Sequence, residues 1–160
     1  MSVAPGEAEG RDFEAAMVAA VGALRRRERS VAELHEWLRG RELHADVIDA
    51  VIAELLAVGE LDDDRFACGF AADKRDLAGW GPERIEAVLI DRGIERALAE
   101  AAAREDHELQ LDRAAEQVRR RFGPLTGDAE RARALAFLGR RGYGYEIAYD
   151  AIRRAERDAA

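Results

Sequence analysis

The sequence predicts an all-α protein built as a tandem array of three three-helix repeats, and three observations carry that expectation. Strong helix formers (Ala, Leu, Arg and Glu) fill most of the 160 positions. Only three prolines interrupt the chain, and β-branched residues are few and scattered. One apolar pattern returns three times: Leu34, Trp37 and Leu38 match Ile85, Val88 and Leu89 at an offset of 51, and these match Ala134, Phe137 and Leu138 at an offset of 49. Repeats of this length mark stacked helical arrays, so an elongated, curved molecule is expected.

The elements follow in order. Residues 1–12, rich in Gly, Ala and Glu, read as a disordered tail. Phe13, Met17, Ala20, Val21 and Leu24 then share one helical face, and the basic run Arg25 to Arg29 closes it. Ser30 and Glu33 form an S-x-x-E capping box ahead of Val31, Leu34, Trp37 and Leu38. Val47, Ile48, Val51, Ile52, Leu55 and Leu56 make a third helix, which Gly59 stops. The first repeat is therefore 13–59.

The second repeat, 60–105, opens on Asp62-Asp63-Asp64 before Phe66, Ala67, Phe70 and Ala71. Gly79-Trp80-Gly81-Pro82 is a turn with proline at the first helical position. Gly93 ends that helix, and Ile94, Leu98 and Ala102 line the next. The third repeat, 106–157, runs through Leu111, Ala115, Val118 and Phe122, breaks at Gly123-Pro124, restarts with Asp128 as cap, turns at Gly142 and finishes over Tyr145 to Arg157. Leu43, Ile94 and Tyr143 are equivalent across the repeats. Gly93 and Gly142 are equivalent to each other, with Glu42 in their place in the first repeat.

The net charge is −8, and arginine dominates the basic residues, Lys74 being the one lysine. The single cysteine, Cys68, excludes an internal disulfide and fits a reducing, cytoplasmic setting; it reads as a buried or half-buried thiol between Phe66 and Phe70. No apolar run approaches the ~18 residues of a membrane span.

Chemistry is not assembled. His35, His44 and His107 form no H-x-x-x-H pair. The Asp62-Asp63-Asp64 run lacks the Gly and distal Glu of a calcium loop, and capping explains it better. Gly79-x-Gly81 and Gly142-x-Gly144 do not complete G-x-G-x-x-G and follow no strand. No catalytic residue, metal ligand or cofactor is expected, and a non-enzyme follows.

Arginine clusters at predicted helix ends are read first as dipole partners. Their functional reading, contact with an acidic protein surface or with phosphates, stays open; the negative net charge argues against strong general DNA affinity and leaves weak direct contact. Trp80, in a turn, is a candidate anchor, since Trp is favoured at hot spots. Tyr143 occupies a core position of the repeat, and Tyr145 and Tyr149 are weighed beside it.

The ordered motifs resemble the RecX family. They are Ala23-Leu24, Arg27 and Ser30-x-x-Glu33-Leu34; then Leu61-Asp62-Asp63-Asp64-Arg65-Phe66-Ala67, Arg75, Gly81-Pro82-x-Arg84-Ile85, Leu89 and Arg92-Gly93-Ile94; then Arg140-Arg141-Gly142-Tyr143. The motif residues are Asp62, Asp63, Arg65, Phe66, Gly81, Ile85, Gly93 and Gly142. The resemblance spans residues 15–155. It departs in being more acidic than the usual pattern, with Arg92 where lysine is common. It implies a monomeric modulator that binds RecA and its filament on single-stranded DNA and inhibits recombinase, ATPase and co-protease activity. The expected contacts are Lys74, Arg75, Trp80, Arg84, Arg140 and Arg141. The alternative is a helical module that binds nucleic acid directly.

Overall fold

The structure, a computed structural model, describes residues 5–158, with side-chain environments from residue 10. Among the described residues it holds nine helices and no strand: α1 Pro5–Arg26, α2 Val31–Arg39, α3 Ala45–Ala57, α4 Asp63–Ala78, α5 Pro82–Asp91, α6 Arg96–Ala103, α7 His107–Phe122, α8 Asp128–Arg141 and α9 Tyr145–Asp158. Helix α1 begins inside the stretch expected as a disordered tail, so residues 5–12 are helical; residues 1–4 lie outside the described residues. The contacts divide the chain into two compact units. One holds the chain up to Phe66 with Arg92–Ile94; the other holds Ala67–Asp91 with the chain from Glu95 onward.

In the first unit α1, α2 and α3 enclose Ala16, Ala20, Ala23, Leu34, Leu38, Ile48, Val51, Leu55 and Leu61. Alanines at i, i+4 and i+7 give α1 a smooth face on which the larger side chains of α2 and α3 close. Burying each leucine completely contributes about 1.5–3 kcal/mol. The Ser30 capping box forms as its spacing predicts: the Glu33 amide donates to Ser30 Oγ at 3.1 Å, and the Ser30 amide donates to Glu33 Oε2 at 3.2 Å.

In the second unit α7, α8 and α9 surround Leu111, Ala114, Val118, Ala134, Leu138, Tyr143, Ile147, Ala151 and Ile152. Helices α5 and α6 pack on each other. Helix α6 buries Ala99 and Ala103, and the expected inward pair Leu98 and Ala102 is only half-buried. Asp128 is the first helical residue of α8, and Gly127 is its N-cap; Glu130 instead reaches back to accept from the Thr126 amide and hydroxyl. Cys68 is exposed, because two positions on from Phe66 is about 200° around a helix, away from the buried face.

The repeat is visible in the backbone. The turn that follows each second helix holds one left-handed residue in all three repeats: Glu42 at φ 58°, Gly93 at φ 83° and Gly142 at φ 88°. Two of these turns are docking points. Within the first unit, Ser30 Oγ donates to the Arg92 carbonyl at 2.6 Å, and a Cβ on Gly93 would sit 2.4 Å from the Ala32 Cβ. Within the second, the Gly81 amide donates to the Arg141 carbonyl at 2.7 Å and the Glu83 amide to the Gly142 carbonyl at 3.1 Å; a Cβ on Gly142 would meet the Arg84 amide nitrogen at 2.4 Å. Glycine answers both the positive φ and the close approach.

Candidate interaction surface

The residues of the family-like motif cap, pack and turn. Asp62 Oδ1 accepts from the Arg65 amide at 3.0 Å and starts α4. Asp63 reaches across 32 residues instead, its Oδ1 accepting the Val31 amide at 2.8 Å, so it caps α2. Burial pushes its carboxyl up, against the pull of that hydrogen bond, and Asp62 and Asp64 add to the rise. Arg65 donates to the Gly59 and Glu60 carbonyls at 2.9 and 3.2 Å, closing the end of α3. Phe66 is buried under the Arg92 guanidinium, 4.5 Å from its ring centroid. Arg92 also holds Glu33 with two parallel bonds of 2.8 and 2.9 Å. Burial opposes the Glu33 charge, but the Arg92 and Ser30 hydrogen bonds outweigh it and hold the carboxyl below its ordinary value. Ile85 is fully buried.

The six expected contact residues all fall in the second unit and separate into two kinds. Trp80 is half-buried in the α4–α5 turn, where its amide donates to the Lys74 carbonyl at 3.0 Å. The Arg84 guanidinium lies 4.0 Å from the Trp80 ring centroid, and Lys74 Nζ lies 5.1 Å from it and 5.4 Å from the Phe70 centroid. Phe70 meets Trp80 edge-on, with centroids 6.2 Å apart. Arg84 Nη1 donates to the Arg140 carbonyl at 3.1 Å, which brings exposed Arg140 beside the group. Lys74, Trp80, Arg84 and Arg140 therefore form one cationic, aromatic patch. No salt bridge engages its three cations among the described residues.

Arg75 and Arg141 are committed to their own unit. Arg75, with a side chain 16% exposed, donates to the Ala102 and Ala103 carbonyls at 3.3 and 3.1 Å and closes the end of α6. Its Nε stands 3.6 Å from Glu105 Oε1, close enough for ion pairing but beyond hydrogen-bond length. Glu105, 7% exposed, also takes Arg113 at 2.7 Å, and Arg113 reaches Asp76 at 2.9 Å. Burial opposes the Arg113 charge, yet Glu105 and Asp76 hold its guanidinium above its ordinary value. Arg141 donates to the Ala78 carbonyl and lies 5.0 Å from the Phe137 centroid. The buried Tyr143 hydroxyl donates to the Gly79 carbonyl at 3.3 Å; burial first, then the Glu105 charge, pushes it up to about 12.

The Glu105 ion cluster escaped the sequence reading, as did the pairing of Tyr145 with Tyr149, two residues already singled out there. The Glu105 ion cluster has no local signature, since its partners stand 8 and 30 positions away. The stacked, exposed pair Tyr145 and Tyr149 had one, the i, i+4 spacing. No cluster of three or more His, Cys, Asp or Glu is placed to hold a metal ion among the described residues, and none of their helices is long and apolar enough to cross a membrane.

Comparison with known proteins matches three family models in order along the chain: RecX, first three-helix domain over residues 16–55, second over 62–102 and third over 108–152. Regulatory protein RecX of Pseudomonas savastanoi pv. phaseolicola is 39% identical over 130 residues, 80% of this chain and 83% of that one. Regulatory protein RecX of Stenotrophomonas maltophilia is 37% identical over 141 residues, 86% and 83% of the two chains. The crystal structure of RecX from Lactobacillus salivarius superposes with a TM-score of 0.83 at 22% identity, covering 92% of this chain and 99% of that one, which shows the shared fold. With all three domain models matched in sequence order and such relatives at 37% and 39% identity, this chain belongs to the RecX family.

Proposed function

We propose that the chain is a cytoplasmic regulator that binds RecA and its filament on single-stranded DNA and lowers recombinase, ATPase and co-protease activity. The observation that carries this reading is the ordered match to all three family domains, with relatives named Regulatory protein RecX. The mode of action is occupancy, a monomer covering a surface of the filament, with no cofactor and no chemistry of its own. The patch of Lys74, Trp80, Arg84 and Arg140 supports it: a tryptophan flanked by cations without carboxylate partners is the kind of group that anchors an interface and sets its register. Arg75 and Arg141 leave the contact set, because their guanidiniums already serve carbonyls of their own unit.

The test is ATP hydrolysis by the cognate RecA on single-stranded DNA, with co-sedimentation in parallel. Added protein lowers hydrolysis and pellets with the filament. No change in either at saturating protein overturns the reading. The double substitution Lys74→Ala and Arg84→Ala should weaken filament binding by about tenfold or more, the scale of one hot-spot loss, with helicity unchanged.

A further inference from the structure

Helix α9 has two different faces. Ile147, Ala148, Ala151, Ile152 and Ala155 are buried against its neighbours. Its flanking charges are tied down: Arg154 to Asp112 at 2.5 Å and Glu108 at 2.9 Å, Glu156 to Arg131 at 2.5 Å and Asp158 to Arg119 at 2.5 Å. The remaining exposed residues are Glu146, Asp150 and a stripe at i+4 spacing, Tyr145, Tyr149, Arg153 and Arg157. Tyr145 is 70% exposed and Tyr149 49%. Their rings are near parallel, 16° apart with centroids at 6.3 Å, and Arg153 continues the row 5.8 Å from the Tyr149 centroid. Among the described residues neither Arg153 nor Arg157 has a carboxylate partner, although Arg154 beside them has two.

We infer that this stripe is a binding site for a single-stranded nucleic acid, with nucleobases on the Tyr145 and Tyr149 rings and phosphates at Arg153 and Arg157. Three observations favour this occupant. Exposed aromatic rings accept any base, because every base has a π-face, and Tyr145, 70% exposed, is the more open of the two. Two cations without carboxylates stand directly in line with the rings, so a strand stacking on the tyrosines carries its phosphates onto them. A protein hot spot is ringed by contacts that exclude water; here the positions beside the tyrosines are exposed Glu146 and Asp150. The net charge of −8 keeps general affinity low and places binding in the local stripe.

The site stands apart from the RecA reading and is tested without RecA. Fluorescence anisotropy of a labelled oligothymidylate is followed against the full chain at low and rising salt. Binding is expected, and Tyr145→Ala with Tyr149→Ala should lower affinity at least tenfold, while Tyr→Phe at both positions keeps it, since the ring and not the hydroxyl carries the stack. Arg153→Ala with Arg157→Ala should flatten the log–log salt slope by about 1.4, two phosphates at roughly 0.7 each. All four residues point to solvent, and circular dichroism checks that each variant is folded. Absence of binding at low salt overturns the proposal. So does binding that the alanine variants leave unchanged. Loss of RecA affinity in the tyrosine variants with oligothymidylate binding intact also overturns it, since the stripe would then serve a protein.

Discussion

Ser30 and Arg92 are 62 positions apart and share a 2.6 Å hydrogen bond, hydroxyl to carbonyl, at the point where α2 begins. The same hydroxyl accepts the Glu33 amide, and the Arg92 side chain returns to grip Glu33. Ser30 is fully buried. One side chain thus closes a helix and receives the turn that carries Gly93. Ser30→Ala removes the cap and the hydrogen bond to the Arg92 carbonyl, so we expect a loss of about 1–3 kcal/mol, a cap of about 1 plus one hydrogen bond of about 0.5–1.5. Ser30→Thr, which keeps the hydroxyl, should lose less. Urea denaturation followed by circular dichroism reads both; a loss within experimental error of zero for the alanine would refute the role.

The Glu33–Arg92 pair gives the fold an acid limit. The folded Glu33 carboxyl lies below its ordinary 4.5. A depressed carboxylate contributes stability that is fully present above the ordinary value and is lost as pH falls through the lower folded one. Asp63 acts in the opposite sense: its raised value means that ionisation costs the fold, and protonation relieves it as pH falls. The pair is therefore isolated as a difference. Stability of the native chain minus that of Glu33→Gln should be about 1–2 kcal/mol at neutral pH, between exposed and buried ion pairs, and should shrink toward zero below the ordinary glutamate range. A difference that stays constant through that window would remove the carboxylate from the account.

The three left-handed turns make opposite predictions for similar substitutions. Glu42 holds φ 58° with a Cβ, a conformation that costs a non-glycine residue about 1–2 kcal/mol. Glu42→Gly should raise stability by about 1 kcal/mol, the relief being partly offset by glycine's greater freedom in the unfolded chain. Gly142→Ala should cost about 3 kcal/mol or more, because strain adds to a collision with the Arg84 backbone. Gly93→Ala meets only the Ala32 methyl and should fall between. Thermal melts of the three variants, ranked, check the order.

Much of this fold was legible because its signals are local. The Ser30–Glu33 box, Pro82 at the start of α5, and the glycines at 59, 93 and 142 each declare a helix end within a few residues. The repeat offset then set the helices in order. The less legible parts depend on partners far along the chain. Asp63 looks like a cap for its own helix, yet it serves Val31. Arg75 and Arg84 look alike as cations near helix ends, yet one is sunk among α6 carbonyls and the other lies open on a tryptophan. Cys68 reads as a buried or half-buried thiol from its neighbours Phe66 and Phe70, yet its own position on the helix is exposed.

That contrast between Arg75 and Arg84 separates folding from binding. Arg75→Ala leaves the last carbonyls of α6 without its donors and the nearly buried Glu105 with one cation fewer, so it should cost about 1–3 kcal/mol, the range for leaving buried acceptors unsatisfied. Arg84→Ala removes an exposed side chain and should cost under about 1 kcal/mol, since cation–π contacts at open sites are worth that much. On the filament the order reverses. The folded fraction of Arg75→Ala should bind with native affinity, whereas Arg84→Ala should bind several-fold more weakly because it strips the guanidinium from the Trp80 face. Denaturation midpoints and filament co-sedimentation, measured on the same preparations, give both orders. If Arg75→Ala is as stable as the native chain and binds worse than Arg84→Ala, the division of these arginines into fold and contact is wrong.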